Sequence, residues 1–282
     1  MAPDAAIAED MTEEERIILS SVDKFIEQDV RPYAHDLEAK DEYPTEIADK
    51  LAELGLMGAT IGEEYGGLGL SARTYSKIVS KVASCWMSVS GIFNSHLIAA
   101  AAVERFGTEE QKQTWLPKMV SGEAVGAIGM TEPGAGSDLQ GMKTRADKDG
   151  DGYKISGQKT FITNGQHCDV IVLATKTDPN AGSKGMTLFT VDCSLPGFAR
   201  GRNLEKMGHH AADTSELFFE DVKVGADQIL GGEGKGFANL MNELPRERLI
   251  LALGAIAACE GMIERTIRSN TLTRVEDITN FI

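Results

Sequence analysis

No stretch of apolar residues approaches the roughly 20 needed to cross a bilayer as a helix, so the sequence offers no membrane span and reads as a soluble protein. Basic side chains are in short supply. The 28 Lys and Arg against 43 Asp and Glu leave a formal net charge of -15, a field that repels polyphosphate backbones and anionic headgroups at long range. Nucleic acid is therefore not an expected partner, although a small anion can still bind where backbone N–H groups or one or two basic residues converge. Cysteine is scarce too. Cys85, Cys168, Cys193 and Cys259 form no Cys-x-x-Cys pair and have no His at zinc-finger spacing. That argues against a metal site or a disulfide framework and for buried thiols in a reducing compartment. His209 and His210 are adjacent and would face opposite ways on a strand, which makes a poor metal pair. The start, MAPDAAIAEDMTEEER, lacks a basic region followed by an apolar one and is acidic where a mitochondrial transit peptide is Arg-rich, so the expected compartment is the cytoplasm.

What is present is ordinary in bulk, with 42% apolar and 25% charged residues, and 282 residues suit two domains, or two plus part of a third. Helical signals fill the first part, 1–121. Thr12 with Glu15 has the form of a capping box, followed by Ile18, Val22, Phe25, Ile26 and Val30 at helical spacing up to Arg31-Pro32. Pro44-Thr45 opens a second helix with Ile47, Leu51 and Leu54 on one face and Gly55 placed to end it. Ser71 to Phe106 reads as one or two buried helices, and a capping box of Thr108 with Gln111 starts a short helix expected to stop before Pro117. Over 122–228 the pattern changes to short runs rich in β-branched and aromatic residues: Tyr153 and Ile155, Phe161 to Ile162, VIVLAT, TLFTV and SELFFEDVKV. With no helix alternating between them, these predict an antiparallel barrel or sandwich. From 229 to 282 the helical pattern returns, and RERLILALGAIAACEG is so apolar that it predicts a helix buried in a bundle, begun or kinked at Pro245. The fold class is α+β: a helical domain, a β domain, and the start of a second helical domain.

The stretch GAIGMTEPGAGSDLQGMKT, Gly126 to Thr144, runs from an apolar segment into a turn almost without side chains. Such a turn lets successive N–H groups point into one concavity, and the alternative is an ordinary tight turn. No helix begins after GAGSD, which excludes the dinucleotide fingerprint, and GGEGKGF at Gly231 to Phe237 is too short for a Walker A loop. In order along the chain, a helical domain, MTEPGAGSD, TFITNG after a hairpin, ELFFEDVKV and a buried helix resemble the acyl-CoA dehydrogenase family, over about Met11 to Arg268. The resemblance implies FAD as cofactor. Ile128, Met130 and Thr131 stand where the family borders the isoalloxazine ring, Gly136 and Ser137 where it approaches the flavin phosphates and acyl-CoA, and Phe161, Ile162 and Thr163 match its second flavin-facing segment. Many relatives have Trp where this chain has Phe161, which keeps an apolar wall.

Oxidation of an acyl thioester to its 2-enoyl form needs a desolvated carboxylate to take the α-proton. ELPRERLILALGA contains Glu247, which shares a helix face with Leu251, Gly254 and Ala258; the competing reading is a surface ion pair with Arg246 or Arg248. Within the family, Glu in an E-R-L element on this helix resembles the long-chain and isovaleryl branches, with LPRERL most like the long-chain one, so Glu247 is the implied base. Pro245, Arg246 and Arg248 match positions lining the CoA and acyl pocket, and Ser183 with Lys184 falls in the loop that meets CoA. The family also implies an electron-transfer flavoprotein as acceptor and a homo-oligomer, tetramer or dimer. After Arg268 the family's Arg-x-x-Phe-Gly element is not found in SNTLTRVEDITNFI, so the chain is expected to be a truncated form. The alternative function is a catalytically incomplete fragment acting as a binding or assembly module.

Overall fold

The computed structural model describes residues 11–279, with side-chain surroundings for 11–269. Helix α1, Glu13–Phe25, opens on the expected capping box: the N–H of Glu15 donates to Thr12 Oγ1 at 3.1 Å, and the N–H of Thr12 to Glu15 Oε2 at 2.9 Å. The helix does not end at Arg31-Pro32. It widens into a π turn, Ile26–Val30, and continues as α2, Arg31–Lys40. Pro32 follows the π turn directly, inside the continuous helical run, where the N–H of Arg31 still donates back to the carbonyl of Ile26 and the proline itself supplies no donor to the turn before it. Helix α3, Thr45–Glu53, ends at Gly55, whose φ of 72° lies in the left-handed region that glycine tolerates.

The apolar Ser71 to Phe106 segment is two helices, α4 at Ala72–Cys85 and α5 at Met87–Phe106, separated by extended Trp86. Helix α6, Glu109–Ser121, starts at the Thr108 and Gln111 capping box but runs through Pro117 instead of stopping before it. Pro117 and Gln113 lie on the exposed face, so water reaches the carbonyl that loses its donor, while buried Leu116, Met119 and Val120 hold the turn from the other side.

The strands are β1 Gly126–Gly129, β2 Arg145–Asp149, β3 Gly152–Thr163, β4 Val170–Lys176, β5 Met186–Asp192, β6 Phe198–Asn203, β7 Thr214–Gly225 and β8 Ile229–Leu230. They form one sheet in the order β6-β7-β3-β2-β4-β5-β8, with β1 added beside β4. Pairings are antiparallel except those of β1 and β2 with β4. The continuous apolar character of β4 has a simple cause. Val170, Val172 and Ala174 face the helical core while Ile171 and Leu173 face a second core with Phe189 and Val191, so both sides are dry.

Helix α7, Gly236–Thr279, is continuous, with Pro245 inside it. It packs chiefly on α4 and secondarily on α5. It is not buried all round as its composition predicts: Leu249, Leu251, Ile256, Met262, Ile263 and Ile267 are each more than half exposed. Nor are all four cysteines buried. Cys259 lies on the exposed side of α7, while Cys168 and Cys193 are buried with sulfurs 3.6 Å apart and both free. Among the described residues no helix is long and apolar enough to cross a membrane, and no group of His, Cys, Asp or Glu is arranged to hold a metal.

Candidate active site

The Gly-rich turn follows β1 and is held by a buried ion pair from β3. Lys159 Nζ donates to Glu132 Oε1 at 2.8 Å and to the carbonyl of Met130 at 3.1 Å, with side chains 0% and 6% exposed. Glu132 also accepts from the N–H of Lys143 at 2.6 Å and of Thr144 at 3.0 Å. Burial pushes the Lys159 ammonium down to about 8 against the pull of Glu132. Burial alone would raise Glu132, yet the Lys159 charge and these hydrogen bonds hold it below the ordinary carboxylate value. The Thr131 carbonyl accepts from the N–H of Thr160 at 2.9 Å, and Glu132 and Ala135 exchange both backbone bonds. The carbonyls are thus drawn inward. The N–H groups of Thr131, Gly136 and Ser137 have no acceptor among the described residues, which leaves donors for a ligand.

Phe161 stands 67% exposed on β3, at a register irregularity between Lys159 and Ile162, with φ of 58°. A bulky residue in the left-handed region is strained, so the strand spends conformational energy to present an aromatic face to solvent. Ile162 turns the other way, 3% exposed in the sheet core, and only its backbone is available to a ligand. Thr163 lines a cavity of about 320 Å³ together with Ser90, Asn94, Ile250 and Leu251, so β3, α5 and α7 meet there. Asn164, buried at φ 64°, anchors this corner by donating from Nδ2 to the carbonyls of Ile92 at 2.9 Å and Gly126 at 3.2 Å.

Glu247 lines a narrow apolar cavity of about 60 Å³ with Ile98, Ala102, Ile128, Met130 and Leu244, which brings β1, α5 and α7 onto one space. The expected alternative, an ion pair with Arg246 or Arg248, does not form; the nearby ion pair is Arg105 Nη1 with Glu243 Oε1 at 2.7 Å, one helical turn earlier. Burial, and then the charge of Glu243, raises the Glu247 carboxyl to about 7, with Arg246 and Arg105 opposing the rise. Arg248 lines a third cavity, about 260 Å³, with Thr131, Gly136, Ser137 and Phe237.

Of the residues expected at the site, Ile128, Met130, Thr131, Gly136, Ser137, Arg248 and Glu247 are therefore gathered around adjoining spaces. Pro245 is exposed and borders none of these cavities. Ser183 and Lys184 occupy the short turn Gly182–Gly185, near Gln140 at the rim of the Arg248 cavity but not on its wall. The Glu132 and Lys159 pair was not expected from sequence. A lysine inside an apolar strand pattern, GQKTFIT, is the signal that points to it, since a buried ammonium requires a carboxylate partner.

Models of the acyl-CoA dehydrogenase N-terminal and middle domains match residues 12–123 and 127–222. The long-chain specific acyl-CoA dehydrogenase, mitochondrial, of Rattus norvegicus is 41% identical over 267 residues, which are 93% of this chain and 62% of that protein. The chain thus spans about 62% of the length of the curated relatives that match it at this identity. Among solved structures, an acyl-CoA dehydrogenase from Geobacillus kaustophilus is 45% identical with a TM-score of 0.87, over 92% of this chain and 69% of that one. A glutaryl-CoA dehydrogenase from Mycobacterium smegmatis in complex with FADH2 is 29% identical with a TM-score of 0.84, over 92% and 65%.

Proposed function

The chain belongs to the acyl-CoA dehydrogenase family, and from that premise we propose that it oxidises a fatty acyl-CoA to the trans-2-enoyl-CoA with FAD as cofactor. The observation that carries this reading is the Glu247 carboxyl on the wall of the same apolar cavity as Ile128 and Met130, its affinity for protons raised to about 7. Such a carboxylate is a stronger base than one in water and accepts the α-proton of a thioester seated in that cavity. FAD, when bound, supplies the acceptor for the β-hydrogen as hydride.

The residues present fit that cofactor. The partnerless N–H groups of Thr131, Gly136 and Ser137 are donors for ring carbonyl and phosphate oxygens, and Phe161 offers a flat apolar face. Ile128, Met130, Ile162 and Thr163 complete the proposed flavin contacts, Ile162 through its backbone. Arg248 beside Gly136 and Ser137 is placed for an anionic CoA group, with Ser183 and Lys184 near the rim. An electron-transfer flavoprotein as acceptor, a homo-oligomeric assembly and a cytoplasmic setting with reduced thiols belong to the same proposal. So does a division into helical, β and second helical domains near 121 and 228.

The second reading, a non-catalytic binding or assembly module, draws on the exposed apolar side of α7. Incubation with FAD followed by gel filtration separates the two. The enzyme reading expects a retained flavin absorption band that bleaches anaerobically on addition of an acyl-CoA. The bleaching rate should rise with pH through about 7 as Glu247 ionises and becomes a base, and then level off. A chain that retains no flavin supports the module instead.

Phe161→Gly separates strain from binding. Relief of the positive φ, less the added chain entropy of glycine, should stabilise the apoprotein by a net ~0.5–1 kcal/mol. Loss of the exposed ring should at the same time weaken FAD binding, measured by fluorescence titration.

A further inference from the structure

Two of the four thiols meet where β4 and β5 end. Cys168 follows the turn after β3 and Cys193 begins the turn after β5, so both stand just outside the ladder in which Val170 pairs with Asp192. Their sulfurs lie 3.6 Å apart, in contact and unbonded. One backbone bond, from the N–H of Cys193 to the carbonyl of Asp169 at 2.8 Å, carries the ladder a step further and holds the two segments together. Cys168 is fixed on three sides. Its N–H donates to the Asn164 carbonyl at 2.7 Å, its carbonyl accepts from Arg200 Nη2 at 2.5 Å, and its S–H donates to the Gly165 carbonyl at 3.6 Å. Cys193 is freer, since it opens a turn whose next residue, Ser194, is exposed. With Cys168 at 0% exposure and Cys193 at 7%, a small reagent arrives from the Cys193 side.

A disulfide bond is about 2.05 Å long, so joining sulfurs 3.6 Å apart needs an approach of about 1.5 Å, which small rotations at the turn residue Cys193 supply. We propose that Cys168 and Cys193 form a dithiol and disulfide redox site whose oxidant is a hydroperoxide. Cys193 Sγ attacks the peroxide oxygen and breaks the O–O bond; with hydrogen peroxide, water leaves and Cys193 becomes a sulfenic acid. Cys168 Sγ then attacks the Cys193 sulfur and expels the hydroxyl, which takes the Cys168 proton and departs as a second water. Two thiols lose two electrons, and the peroxide gains them. The hydrogen bond with Cys168, and then burial, push the Cys193 thiol up, with the Arg200 charge opposing. The pair is therefore a dithiol at rest and reacts through a small thiolate fraction when oxidant accumulates. A reversible bond of this kind suits a reducing compartment better than a permanent staple does. The site does not depend on the dehydrogenase reading, although the Asn164 bond joins it to the Phe161 to Thr163 segment.

The test uses the full chain with Cys259→Ser, which removes the exposed thiol that would link two copies. The folded protein is treated with hydrogen peroxide, quenched, unfolded and alkylated. Peptide mass spectrometry should find Cys168 joined to Cys193 with the loss of two hydrogens, and dithiothreitol should restore both thiols. The bond closes a loop between residues 25 positions apart, so the thermal midpoint of the linked form should rise by roughly 5 °C or more. Two free thiols after treatment, or two cysteines oxidised singly without a link, overturn the proposal. A link that lowers the midpoint overturns it as well, because the sheet must then distort to form it. Cys168→Ala and Cys193→Ala should each prevent the link, and the result on the Cys259→Ser chain stands whether or not those variants fold.

Discussion

Glu247→Gln is expected to slow flavin reduction by an acyl-CoA about 10²–10⁴-fold, the usual contribution of a positioned general base, while acyl-CoA binding persists. Gln keeps the shape of the side chain on the cavity wall beside Ile128 and Met130 and removes only the ability to take a proton. A stability change of definite sign accompanies the loss. The folded chain holds the Glu247 proton up to about 7, whereas an unfolded Glu releases it near 4.5, so between these values the native state binds more protons than the unfolded one. Stability from this group is therefore full below about 4.5 and lost as pH rises through 7. The Gln variant, which cannot ionise, should be more stable than the parent at pH 8 and indistinguishable from it at pH 4. Denaturant titration at the two pH values checks the stability arm and anaerobic stopped flow the kinetic one. Reduction at the parental rate would remove Glu247 from the mechanism.

Lys159→Met should be the most damaging single change to the fold near the site. The ammonium is fully buried, so its removal leaves the Glu132 carboxylate without a counter-charge and the Met130 carbonyl without its side-chain donor. Breaking such a pair on one side costs about 3–5 kcal/mol, against the ~5–15 kcal/mol that stabilises a typical domain. The double variant Glu132→Gln with Lys159→Met removes both charges and should recover part of the loss, because no uncompensated ion stays in the core. Urea unfolding of the four proteins in the cycle measures the coupling. If the single and double variants lose the same stability, the pair does not hold the turn in the way its geometry implies.

Much of the architecture was legible in local chemistry. Capping boxes at Thr12 and Thr108 use neighbouring residues only, and the structure starts both helices there. The runs VIVLAT, TLFTV and SELFFEDVKV became β4, β5 and β7 because β-branched and aromatic side chains suit a pleated, half-buried surface whatever lies across from it. Helix ends inferred from proline were less secure. Pro32 and Pro117 both lie within continuous helical segments, the first behind a π turn and the second on a wet face whose opposite side is clamped by the core. The effect of a proline depends on where its freed carbonyl points, and that is set by packing.

The sequence by itself determined the order of helical, sheet and helical segments, the bare turn after β1, and the presence of Glu247 in an apolar helix, because each follows from the spacing of nearby side chains. Only the tertiary structure decided that Glu247 shares a cavity with Ile128 and Met130 and that Lys159 reaches back to Glu132. These are meetings of residues 27 or more positions apart. Which partners face a buried charge, and hence whether it is a base, a clamp or a binding group, depends on how the sheet is laid against the helices.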